Sequence, residues 1–140
     1  MHIVIDRKFL PSDYALMIPK TKDGRVLFAV PWHNKVLLGT TDVSKDKPAI
    51  EPKVTNEEVD FILETAGRYL EKKPTRADVK SVFAGLRPLA APKTDAKGKT
   101  KEISRSHKII VSESGLVSII GGKWTTYREM GEDAIDKIVA

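Results

Sequence analysis

Four places in the 140-residue sequence carry side chains fit for chemistry. They are His2 in the opening strand-like stretch, Arg87 in Gly85-Leu86-Arg87-Pro88-Leu89, Arg105 in Ile103-Ser104-Arg105-Ser106-His107, and Lys123 in Gly121-Gly122-Lys123-Trp124-Thr125-Thr126-Tyr127-Arg128. Pro88 drives Arg87 towards extended geometry, so its guanidinium would be presented from a stiff base that suits anion capture. An arginine in a surface ion pair would read the same way. Gly121 and Gly122 let another molecule approach the backbone, and a helix beginning just after them would leave first-turn N–H groups that favour negative charge. Lys123 adds a cation there, although a sharp turn beside a solvated lysine fits the same residues.

These positions need a scaffold, and composition bounds it. The length fits one domain with a real core, read here as a single domain over residues 1–140. Net charge is +5 and the pI about 9.4, which admits nucleic acid, an anionic membrane face or small acidic ligands as partners. The charges are spread along the chain and densest at Lys93 to Lys101, a pattern of solvated loops, so nucleic acid is not an expected partner. Cysteine is absent, which removes disulfides, thiolate metal sites and cysteine nucleophiles, and three histidines make a zinc site a poor expectation. No apolar run approaches a membrane span, and no signal-peptide pattern occurs. The chain opens directly on a strand-like His2-Ile3-Val4-Ile5, as a segment cut from a larger protein would.

Along the chain, His2 to Ile5, Tyr14 to Ile18, Val26 to Val30 and Lys35 to Thr40 read as short antiparallel strands. Turns at Lys22-Asp23-Gly24-Arg25 and His33-Asn34 join them, and Pro31 is expected to end the third. Gly39-Thr40-Thr41-Asp42 closes the block, its hydroxyls and carboxylate tying the backbone rather than doing catalysis. Thr55-Asn56-Glu57-Glu58 is a capping box, followed by Val59, Ile62, Leu63, Ala66, Tyr69 and Leu70 at helical spacing over about four turns. Val79 to Leu86 returns to strand. Lys93 to Lys101 is a polar loop, expected to be mobile. Strands at Lys108 to Ser112 and Leu116 to Ile120 follow, and a last helix, capped by Thr125 or Thr126, is expected to bury Tyr127, Met130, Ala134, Ile135 and Ile138. The fold class is therefore α+β, a largely antiparallel sheet with helices packed on one face and the other free for a partner.

In this order and spacing, the four places resemble the C-terminal half of the FAD-dependent, respiratory-type glycerol-3-phosphate dehydrogenases. The likeness runs from His2 to the last helix and includes Phe28-Ala29-Val30-Pro31-Trp32 and Gly39-Thr40-Thr41-Asp42. The resemblance implies the substrate-binding (cap) domain of a flavoenzyme, with the last strand, glycine pair and helix returning to the flavin. Family members oxidise sn-glycerol 3-phosphate to dihydroxyacetone phosphate, pass the hydride to FAD and the electrons to a membrane quinone. A cytoplasmic location, or a peripheral one on the inner face of the cytoplasmic membrane, goes with this. The sequence lacks the Gly-x-Gly-x-x-Gly fingerprint, so the N-terminal FAD-binding Rossmann domain is absent, and the isolated chain is expected neither to retain FAD nor to turn over.

By the same resemblance, Arg87 and Arg105 would grip the substrate phosphate, whose oxygens suit paired guanidinium donors. His2 matches the family's active-site histidine, a suitable acceptor for the hydroxyl proton. Lys123 would touch substrate oxygens, and Gly121, Gly122, Lys123, Trp124 and Thr125 would meet the flavin. His33 and His107 read as structural or solvated. Two other readings fit the residues: an oxidase that passes electrons to oxygen, and a free-standing binding module for phosphorylated molecules.

Overall fold

Alternation along His2–Asp6, strand β1, puts Ile3 and Ile5 on a fully buried face and His2, Val4 and Asp6 on the opposite one. The same rule governs Leu16–Ile18 (β2), Leu27–Trp32 (β3) and Lys35–Gly39 (β4), with Ile18, Leu27, Ala29, Val36 and Leu38 inward. This computed structural model describes residues 1–45, 47–87, 89 and 106–139. It divides into two compact units, Met1–Leu86 and Arg87–Ala140.

In the first unit Ser81–Phe83 (β5) completes an antiparallel sheet of order β2-β3-β4-β1-β5. Helix α1, Asn56–Ala66, supplies Ile62, Leu63 and Ala66 to the same core as the inward strand residues. Each large aliphatic side chain buried there contributes about 1.5–3 kcal/mol over exposure. The other face of the sheet is not covered by α1, and Met17, Phe28, Trp32 and Phe83 lie exposed on it.

The capping box forms as expected, Glu58 N–H donating to Thr55 Oγ1 and Thr55 N–H to Glu58 Oε2, both at 3.3 Å. The helix stops after three turns rather than four, because Gly67 caps it and residues 68–70 close into tighter turns. Leu70 is still buried, but Tyr69 rotates out to solvent. Pro31 does not end β3. Ladder pairs with β2 stop at Ala29, so none of the described strands lies beside Pro31 on that side and its missing N–H breaks no ladder bond there. His33 and Asn34 both take positive φ, 42° and 60°, the twist a two-residue hairpin requires. Thr41 ties the loop after β4 to α1, its buried hydroxyl donating to Glu58 Oε1 at 2.6 Å, while Arg25 pairs with Asp42 at 3.3 Å. The structural reading of Gly39 to Asp42 holds.

The second unit pairs His107–Val111 (β6) with Val117–Gly121 (β7) through a turn at Gly115, and a single 3-10 turn at Trp124–Thr126 leads into helix α2, Tyr127–Val139. The antiparallel α+β class is as read from the sequence, with the described strands falling into two sheets. Burial of α2 is not. Ala134 is buried and Met130 half-buried, whereas Tyr127, Ile135 and Ile138 are more than half exposed. A two-stranded ribbon covers only one side of a helix, so the rest of the apolar stripe has nothing to pack on among the described residues of this unit.

Candidate functional site

His2 stands in the middle of a row that crosses the uncovered face of the sheet: Met17, Phe28, Gly39, His2 and Phe83, each opposite the next in register. On one side of it the Phe83 ring stacks on the imidazole, centroids 5.2 Å apart and planes 18° from parallel. On the other side lies the bare backbone of Gly39. A Cβ there would overlap Cδ2 of the imidazole and stand 2.7 Å from Nε2 and 2.8 Å from Cγ. Neither ring nitrogen has a hydrogen-bond partner among the described residues. Partial burial disfavours the imidazolium, with a smaller push from the nearby terminal ammonium, and together they hold the His2 pKa below its ordinary value. An uncharged imidazole with open nitrogens is a proton acceptor.

At the far end of β1 the face turns polar. Asp6 bonds Lys35 at 2.8 Å and pairs with Lys80 at 3.4 Å, and the Lys35 contact first of all keeps its carboxyl below the usual range. An open groove lined by Asp60, Leu63, Gly67, Lys73 and Arg76 runs along α1 and contains none of the predicted site residues.

The remaining predicted residues belong to the second unit. Arg87 is exposed, but it is not a strand end: β5 stops at Phe83, and Gly85, which weakens a strand, lies in the irregular stretch before Arg87. Pro88, Arg105 and the Lys93 to Lys101 run lie outside the described residues.

Gly121 and Gly122 both take positive φ, 77° and 82°. Gly122 has a second reason to be glycine, since a Cβ would meet Met130 Sδ at 2.5 Å and Cε at 2.7 Å. Its bareness lets α2 pack against the turn. Lys123 is exposed and occupies the cap position before Trp124–Thr126, with no side chain capping the N–H groups there. The threonine cap expected from the sequence is therefore not made. Thr126 instead donates its hydroxyl back to the Lys123 carbonyl at 3.2 Å, the local bond that competes with capping. Uncapped donors behind a bare glycine pair fit an anion or an electron-rich ring edge, the chemistry expected of a flavin contact. Trp124 is exposed and stacks on Tyr127 at 5.7 Å, and Thr125 is exposed.

His107 is structural, as read: its Nε2 meets Asp133 Oδ2 at 2.7 Å and ties β6 to α2. His33 sits in the hairpin turn against the edge of Trp32. Sequence reasoning missed Gly39 and Phe83 as neighbours of His2. The alternation of β1 and β4 gave the face of each residue, but the pairing of β1 with β5 joins segments about eighty residues apart and no local signal marks it.

A family model described as FAD dependent oxidoreductase matches residues 1–128. The chain is 45% identical over 139 residues to a mitochondrial glycerol-3-phosphate dehydrogenase of Arabidopsis thaliana, covering 99% of this chain and 22% of that protein. It is 43% identical over 140 residues to a glycerol-3-phosphate dehydrogenase of Mycobacterium leprae, covering 100% of this chain and 23% of the relative. Among solved structures, it is similar to the glycerol-3-phosphate dehydrogenase from Bacillus halodurans complexed with FAD, at a TM-score of 0.77 and 38% identity over 98% of this chain and 25% of that one. The chain thus spans about a quarter or less of the length of these relatives.

Proposed function

The chain belongs to the FAD dependent oxidoreductase family, and on that premise we propose that it is the substrate-binding portion of an enzyme that oxidises sn-glycerol 3-phosphate to dihydroxyacetone phosphate. The observation that carries this reading is identity of 42–45% along essentially the whole chain with proteins of plant, fungal, animal and bacterial origin that all bear the dehydrogenase name. FAD, when bound, supplies the acceptor for the hydride that leaves the secondary carbon.

This chain's residues do the rest. His2 takes the hydroxyl proton as the carbon–hydrogen bond breaks, a role supported by its depressed pKa, which keeps the resting imidazole neutral and able to accept, and by ring nitrogens with no hydrogen-bond partner among the described residues. Arg87 and Arg105 bind the phosphate through paired N–H donors and set the distance from phosphate to reacting carbon. Lys123 neutralises substrate oxygen, and Gly121, Gly122 and the uncapped backbone from Lys123 to Thr125 hold this chain's share of the flavin. Electrons leave for a quinone at a membrane surface, which the net charge of +5 suits as a peripheral, electrostatic contact. None of the helices among the described residues is long and apolar enough to cross a membrane.

The test uses the full-length protein that carries this segment. Anaerobic mixing with sn-glycerol 3-phosphate should bleach the flavin, whereas glycerol, which lacks the phosphate, should not. An oxidised spectrum that survives saturating sn-glycerol 3-phosphate would end the proposal.

A further inference from the structure

The cross-strand row that holds His2 assigns work to two residues that are not among the predicted phosphate or flavin contacts. An imidazole with no hydrogen bond on either nitrogen would ordinarily be free to change rotamer. Here Gly39, directly opposite on β4, leaves a space that the ring fills, and any Cβ would overlap Cδ2. Phe83, directly opposite on β5, closes the other side with a near-parallel ring at 5.2 Å.

We propose that Gly39 and Phe83 are positioning residues for His2, one by the side chain it lacks and the other by the plane of its ring. Packing orients the imidazole here, with neither nitrogen hydrogen-bonded to a described residue, so that either can meet the substrate hydroxyl. A hydrogen bond would fix the ring equally well but would occupy a nitrogen and select a tautomer. The inference rests on reading His2 as the proton acceptor, and its test separates the two.

In the full-length flavoenzyme, the rate of anaerobic flavin reduction and the KM for sn-glycerol 3-phosphate are measured for Gly39→Ala, Phe83→Leu, His2→Ala and both double variants with His2→Ala. Gly39→Ala should slow reduction by about tenfold or more with KM changed less than about twofold, since it removes none of the predicted phosphate ligands. Phe83→Leu keeps an apolar side chain but loses the flat partner, and should slow reduction about threefold or more in the same sense. With His2→Ala as background no ring remains for the new methyl to strike, so each second change should cost less than about twofold more. A merely structural role would cost the same in both backgrounds, and that result overturns the proposal. If Gly39→Ala does not assemble with flavin, Phe83→Leu carries the same comparison alone. A slow His2→Ala enzyme beside wild-type rates for Gly39→Ala and Phe83→Leu ends the positioning role only. A wild-type rate for His2→Ala itself ends the reading of His2, and the positioning role with it.

Discussion

At the scale of single residues, environment decides what an ionisable group does. Burial and a neighbouring ammonium depress the His2 pKa, so the unfolded chain binds the proton more readily than the folded one does. Stability linked to His2 is therefore fully present above its ordinary pKa of about 6.5 and drains away as pH falls from there through the lower folded value. Denaturant melts between neutral and mildly acid pH should show that decline, and His2→Gln should remove the part due to this residue. An imidazole midpoint at or above its ordinary value, read by NMR, would contradict the assignment. Arg87 offers a different test, because its proposed role depends on shape rather than charge. In the full-length enzyme Arg87→Lys keeps the cation and loses the planar fork, and should lower kcat/KM at least about tenfold, or about 1.4 kcal/mol. Steady-state kinetics equal to wild type would remove Arg87 from the phosphate site.

At the scale of elements, local chemistry was legible where it is carried by adjacent residues. Thr55 and Glu58 announced α1, His33-Asn34 announced the β3–β4 hairpin, and Ile3 with Ile5 announced the buried face of β1. What was hidden depends on contacts distant in sequence. Nothing around Gly39 or Phe83 tells that both flank His2, and the stripe of α2 does not tell that only Ala134 is buried within its own unit. The glycine pair was half legible, since a turn was evident but the packing of Met130 against Gly122 was not. Two alanine substitutions separate those causes. Gly115 and Gly122 share a φ of 82°, but a Cβ at Gly115 meets nothing within 4 Å while one at Gly122 strikes Met130. Gly115→Ala should cost only the left-handed backbone term, about 1–2 kcal/mol. Gly122→Ala should cost at least about 1 kcal/mol more, because the α2 turn around Met130 has to shift. Equal losses in urea unfolding followed by fluorescence would show that the helix does not lean on that glycine.

At the scale of the whole molecule, apolar surface shows where this chain expects company. In the second unit Leu116, Ile119, Trp124, Tyr127, Ile135 and Ile138 are all exposed, and in the first the sheet face around His2 carries Met17 and Phe28 uncovered. Scattered apolar residues are ordinary on a protein surface, whereas exposed ones concentrated on one helix and one β-ribbon are what an interface needs. The relatives are four to five times longer than the stretch matched here, and the sequence lacks the glycine fingerprint that cradles a dinucleotide pyrophosphate. On the proposed reading, what the described residues offer a flavin is a bare glycine turn with Lys123 and a few uncapped N–H groups, enough for one edge of a ring and too little for the adenine, ribose and pyrophosphate. The 140-residue chain purified alone should therefore be colourless and take up no FAD at micromolar concentration. Adding FAD should leave its melting temperature unchanged, since a ligand stabilises a fold only when its concentration exceeds its dissociation constant. A yellow protein that keeps its flavin through gel filtration would mean that the turn at Gly121 and Gly122 contributes most of the binding energy, and the division of labour between this segment and the rest of the enzyme would have to be redrawn.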